Sequence, residues 1–89
     1  MLKKSITVTN ASGLHLRPAG NLCKEALKYE SKINIIFGNT VANAKSVLSV
    51  LGACIKKGDE IEVECKGKDE EEALNAIINL AENGFGEIE

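Results

Sequence analysis

One histidine, one arginine and one proline occur among the 89 residues of the chain, and all three fall within His15-Leu16-Arg17-Pro18. Every other base is a lysine, so the guanidinium stands only beside the imidazole. Taken singly, each residue has an ordinary reading: a surface histidine, an incidental base, a helix starter. Together they form a chemical set. The imidazole of His15 is a nucleophile. The Arg17 guanidinium is a planar donor fork that fits phosphate oxygens. Pro18 suits the first turn of a helix, where backbone N–H groups from Leu16 onward are free and the dipole favours an anion. A nitrogen nucleophile beside an anion cradle is what reversible phosphoryl transfer to nitrogen requires. Other chemistries lack their parts. A hydrolytic triad has no second histidine and no nucleophile elbow, and neither a P-loop nor a dinucleotide fingerprint is present.

The elements that must position this set follow from hydrophobic period. Residues 4–9 alternate, with Ile6 and Val8 on one face, and predict a half-buried strand. Asn10 to Gly13 is turn-like. Ala19, Leu22, Cys23, Ala26 and Leu27 form one helical stripe that begins at Pro18. Ile33, Ile35 and Phe37 alternate, Gly38-Asn39 reads as a two-residue hairpin turn, and Thr40 to Asn43 forms the returning strand. Ser46 caps a short helix from Val47 to Gly52. Ile61, Val63 and Cys65 point to one face of a last strand, opposite Glu60, Glu62, Glu64 and Lys66. Asp69 opens the last helix, with Glu72 completing a capping box, and Gly84 ends it. The order is β-α-β-β-α-β-α. Alternating strands imply a sheet with one buried face, which the helices cover.

Composition removes several function classes. The length fits a single domain over residues 1–89. Three aromatics, Tyr29, Phe37 and Phe85, are too few for a base-stacking surface, so no direct nucleic-acid contact is expected. The longest mostly apolar stretch, Val47 to Ile55, is far short of the ~20 residues that span a bilayer, and no secretory signal is visible. A cytoplasmic setting is the default. Cys23, Cys54 and Cys65 lack disulfide or zinc spacing and are expected as three buried thiols. No cofactor or metal is implied. Residues 1–58 hold nine Lys and Arg against two Glu, a balance of +7, and residues 59–89 hold two Lys against eleven acids, −9. Either a basic docking face meets an acidic partner, or the acids line one solvated strand and helix.

Two separated motifs carry a family resemblance. Gly13-Leu14-His15-Leu16-Arg17-Pro18-Ala19 resembles the active-site signature of HPr, the histidine-containing phosphocarrier of the bacterial phosphoenolpyruvate:sugar phosphotransferase system. Asn43-Ala44-Lys45-Ser46-Val47-Leu48 resembles its second signature, around a regulatory serine. The resemblance runs from the first strand to Gly84. It implies an α+β fold, an open-faced sandwich in which a four-stranded antiparallel sheet is covered on one face by three helices. It also implies a monomeric carrier that receives a phosphoryl group from enzyme I on Nδ1 of His15 and passes it to the A domain of a sugar-specific enzyme II. Arg17 matches the arginine that contacts the phosphoryl group, and Ser12 a polar loop position beside the histidine. Leu16, Pro18 and Gly20 fall on the docking side; Leu16 and Gly20 depart from the commoner family residues. Ser46 matches the serine phosphorylated by a kinase in some members, whose modified form binds a catabolite-repression transcription factor. Val47, Leu48 and Leu51 are expected to face a partner, the alternative being that the sheet buries them together with Val50. In some members the C-terminal carboxylate approaches the site; the tail Gly86-Glu87-Ile88-Glu89 gives no signal either way. Two other readings compete: a regulatory module of this fold in which His15 is idle and Ser46 acts alone, and a plain α/β ligand-binding domain. The pairing of His15 with Arg17 disfavours the first, the pair of motifs the second.

Overall fold

The computed structural model describes residues 1–87. Its elements are β1 (Leu2–Thr7), α1 (Leu16–Ala26), β2 (Lys32–Phe37), β3 (Thr40–Asn43), α2 (Val47–Gly52), β4 (Glu60–Lys66) and α3 (Glu70–Glu82), followed by a 3₁₀ turn, Gly84–Gly86. The four strands lie in the order β1-β4-β2-β3, and every neighbouring pair is antiparallel. This is the α+β open-faced sandwich expected from the sequence. β4 is central: Ile6 opposes Ile61 on one side, and Ile35 opposes Val63 on the other. Ile33, Ile35, Ile61, Val63 and Cys65 are buried beneath the helices with Leu22, Ala26, Ala73 and Ile77. Opposed pairs share a face, so Glu62 and Glu64 stand with Ser5 and Lys3 on the uncovered side. Much of the acidic balance is therefore the solvated face of β4 together with Glu70, Glu71 and Glu72 in the first turn of α3.

Several local expectations are corrected. β1 begins at Leu2 and ends at Thr7 because β4 continues to Lys66 and supplies partners as far as Leu2↔Cys65. Val8 lies past the ladder yet is buried, its N–H donating to the Asp59 carbonyl (2.9 Å) and its carbonyl accepting from Gly58 (2.8 Å). α1 starts at Leu16, so Pro18 is its third residue, still in the turn where a missing N–H leaves no gap. Leu27, the C-cap residue, keeps helical dihedrals and is 62% exposed, so the buried stripe of the helix ends at Ala26. The capping box of α3 does not form. The Asp69 carboxylate instead accepts from the Glu30 N–H (2.9 Å), the Ser31 N–H (2.9 Å) and the Ser31 hydroxyl (2.5 Å). These bonds, the Ser31 hydroxyl first, hold the Asp69 carboxyl below the usual carboxylate range and tie α3 to the start of β2.

The cysteines divide. Cys65 is buried, and burial, reinforced by Glu70, Asp69 and Glu64, pushes its thiol up to about 11, so it is an inert core residue. Cys23 is half-buried. Cys54, expected inside, is exposed because it follows α2 in a left-handed conformation, φ 54°, that swings it off the core. Gly84, φ 65°, ends α3 as the sequence indicates. The chain then turns back, and Phe85 becomes fully buried.

Candidate functional site

The loop from Asn10 to His15 is built before the helix begins. Asn10 is buried, and its amide Nδ2 donates to the Gly13 carbonyl (2.7 Å) while the Gly13 N–H donates to the Asn10 carbonyl (3.1 Å). Gly13 has φ 64°, and a Cβ there would stand 2.5 Å from the Ile55 carbonyl oxygen. Only glycine satisfies both the left-handed backbone and this close approach. Leu14 follows, buried, with its N–H donating to the same Ile55 carbonyl (3.0 Å). The loop is thus pressed onto the segment between α2 and β4, and the next residue is His15.

His15 is the N-cap of α1. Its backbone is extended and its imidazole makes no capping bond. Its carbonyl accepts from the Ala19 N–H (2.8 Å) and opens the helix. The side chain is exposed, as are Leu16 and Arg17. With Ala19 committed and Pro18 lacking an N–H, the N–H groups of Leu16 and Arg17 are among those left without a partner among the described residues at this helix end. His15 therefore presents a nucleophilic nitrogen at the rim of a donor pair, with a guanidinium two residues along the same turn.

One depression is lined by His15 and a second by Arg17. A groove of about 400 Å³ is lined by Ser12, Leu14, His15, Leu51, Cys54, Ile55 and Lys56. A cleft of about 310 Å³ is lined by Arg17, Asn21, Gly86 and Glu87. The second contains the turned-back tail. Phe85 anchors it in the core, and the Asn21 Nδ2 donates to the Phe85 carbonyl (2.9 Å). Glu87 then reaches the loop: its carboxylate accepts from the Ser12 N–H (3.1 Å), the Ser12 hydroxyl (2.5 Å) and the Asn10 Nδ2 (3.0 Å). The two bonds from Ser12 and the one from Asn10 hold the Glu87 carboxyl below the ordinary glutamate range.

The predicted docking residues separate by exposure. Leu16 is 63% and Leu48 82% exposed. Val47 and Leu51 are partly buried against the core, and Val50 is wholly buried, so neither expectation for this helix holds entire. Leu51 keeps an edge in the groove beside His15. Pro18 is buried and serves the helix start from inside. Gly20 is half-buried, and a Cβ there would meet nothing within 4 Å, so the surface around it is open. Ser46 caps α2: its hydroxyl accepts from the Ser49 N–H (3.2 Å) and its carbonyl from Val50 (3.1 Å).

Sequence reasoning missed Asn10, Asn21, Phe85 and Glu87. Asn10 stood in a recognised turn and had an available signal, since asparagine side chains commonly bond the backbone of the turn they start. A glutamate near a chain end has no such signal. Ile88 and Glu89, on which the expectation about a C-terminal carboxylate falls, lie outside the described residues.

Comparison with known proteins identifies the family of the chain. Residues 2–83 match the family described as "PTS HPr component phosphorylation site". The phosphocarrier protein HPr of Mycoplasma capricolum subsp. capricolum is 43% identical over 77 residues, which is 86% of either chain. The crystal structure of HPr-C-His from Thermoanaerobacter tengcongensis superposes with a TM-score of 0.94 at 35% identity, covering 100% of both chains. Crh, a Bacillus subtilis catabolite-repression protein crystallised as a swapped dimer, superposes with a TM-score of 0.76 at 26% identity, covering 93% of this chain and 95% of its own.

Proposed function

The chain belongs to the HPr family of phosphotransferase-system phosphocarriers, and from that premise we propose that it accepts a phosphoryl group on His15 from phosphorylated enzyme I and donates it to the A domain of a sugar-specific enzyme II. The observation that carries this reading is the exposed imidazole at the cap of α1, with exposed Arg17 two residues on and the N–H groups of Leu16 and Arg17 unpaired among the described residues. In the transfer, a ring nitrogen of His15 attacks phosphorus in line with the leaving group. The bond from phosphorus to the donor breaks as the P–N bond forms. Negative charge is spread over the three equatorial oxygens, and catalysis rests on placing donors there. Arg17 and the N–H groups of the helix end are the donors available for that charge. The same contacts serve the return step, because they lower the barrier in both directions. The role is that of a carrier with a covalent intermediate, working as a cytoplasmic monomer and needing no cofactor.

Docking falls to Leu16, the open helix face at Gly20, exposed Leu48, the exposed part of Val47 and the edge of Leu51 that lines the groove with His15. Discharge gives the direct test. Isolated phosphorylated chain mixed with an enzyme II A domain is expected to lose its phosphoryl group to that domain; retention with every A domain of the host removes the donor half of the proposal. Arg17→Lys is expected to slow transfer by about tenfold, because the charge stays and the fork is lost. Stopped-flow transfer rates check this, and a rate equal to wild type contradicts a role for the fork.

Ser46 is the proposed regulatory site, open to a serine kinase, and the modified form is the one a catabolite-repression transcription factor would read. The likeness to Crh supports this second role. A phosphate there adds about −1.5 to −2 charges at a helix start, where the dipole tolerates it. Ser46→Asp is therefore expected to melt within a few degrees of wild type. Its transfer from enzyme I should weaken through binding, as the new charge stands beside exposed Leu48 in the basic half of the chain. Raising the salt should recover part of the loss by screening. Transfer kinetics at two ionic strengths, with a thermal melt, decide it: undiminished transfer makes Ser46 a helix cap alone.

A further inference from the structure

We propose that Glu87 is a positioning residue for phosphoryl acceptance, its side-chain carboxylate fixing the loop that presents His15 by gathering the Ser12 N–H, the Ser12 hydroxyl and the Asn10 amide. This rests on the carrier reading of His15. The loop has two supports. One is internal: Gly13 and Leu14 are pressed against Ile55. The other is the tail. Ser12 is exposed and lies between those anchors and the strand end, where no sheet or helix holds it. Its N–H and hydroxyl both end on Glu87, at 3.1 and 2.5 Å. Bonds to an ionised acceptor are about twice as strong as neutral ones.

The Asn10 amide is set by the same carboxylate. Its Nδ2 donates to the Gly13 carbonyl and to Glu87 Oε1, so both hydrogens are used. Turning the amide over would aim its oxygen at two acceptors. Glu87 therefore fixes both the orientation of Asn10, which shapes the turn at Gly13, and the position of Ser12. The tail can do this because it is held rigidly: Phe85 is buried, and Asn21 of α1 holds the Phe85 carbonyl at 2.9 Å. The same helix that starts at His15 thus holds the segment that steadies the loop before it. Ser12 is accordingly committed to Glu87, and its contribution to transfer is through presentation of the imidazole.

In-line transfer depends on placement, and misplacement by about 1 Å can cost about a hundredfold. Glu87→Ala is expected to lower kcat for acceptance from enzyme I about tenfold while KM for enzyme I changes less than about twofold. Glu87→Gln keeps one carbonyl acceptor and should recover part of the rate. Ser12→Ala should lower kcat in the same direction, and the double variant should be no slower than the worse single one, as for residues acting as a unit. Amide hydrogen exchange on the unphosphorylated protein gives a readout free of activity: the Ser12 N–H should be protected in wild type and exchange faster in Glu87→Ala. An unchanged kcat in Glu87→Ala, multiplying effects in the double variant, or an unprotected Ser12 amide in wild type overturns the proposal. Wild-type protein that takes up no phosphoryl group overturns the carrier reading itself, and the positioning role with it.

Discussion

His15→Ala is expected to abolish phosphoryl acceptance and leave the fold intact. The loss should be complete because no other imidazole exists in the chain. The fold should survive because the His15 side chain is exposed and makes no capping bond. What starts the helix at this position is the backbone carbonyl, which alanine retains. Surface replacements of this kind stay within about 0.5 kcal/mol of wild type. Mass spectrometry after incubation with enzyme I and phosphoenolpyruvate, beside a thermal melt, checks both halves. Uptake by the variant at the wild-type rate would mean that another residue carries the group. A variant that fails only because it has unfolded would give the imidazole a packing role that its exposure denies.

Phe85→Ala is expected to produce the largest loss of stability. Phe85 is the largest of the wholly buried side chains, and it lies in a segment packed on both α1 and α3. Removing a buried phenyl ring costs about 3–5 kcal/mol, a large share of the ~5–15 kcal/mol that holds a domain of this size. Phe85 also sits at φ 55°, a conformation that a side chain enters at a cost of about 1–2 kcal/mol. Alanine keeps that cost and loses the burial that offsets it. The melting temperature should fall by more than about 10 °C. The effect should extend to the site, since the tail that delivers Glu87 to Ser12 is anchored by this ring. Denaturant unfolding of the variant decides it. A loss below about 1 kcal/mol would show that the ring contributes far less than burial implies.

Much of this was legible before any coordinates. The β2–β3 hairpin, the Ser46 cap and the alternation of Ile61, Val63 and Cys65 are local signals, each written within a few residues, and each appears in the fold. The candidate site is written in the same local way. His15, Arg17 and the helix start lie on consecutive residues, so no tertiary contact is needed to bring them together. What stayed hidden depends on distant partners. Asp69 has the residue type and spacing of a helix cap, yet its carboxylate is taken by Glu30 and Ser31, 39 and 38 residues away. Glu87 meets Ser12 across 75 residues. Leu27 fits the apolar period of α1 and is nonetheless exposed, because period does not say where the packing against a helix ends. Cys54 is apolar enough for the core and is turned out by a backbone conformation that its residue type does not announce. Local pattern specifies the elements, while the supports of the loop before His15 are set by the path of the whole chain.

The most direct measurement is to mix the intact protein with enzyme I and phosphoenolpyruvate, follow its mass, and locate the modification. The account predicts a gain of one phosphoryl group, carried by a ring nitrogen of His15 and lost on acidification, as a P–N bond requires. No mass gain with an enzyme I that is active on its own carrier, or a phosphoryl group mapped to any residue other than His15, would contradict it.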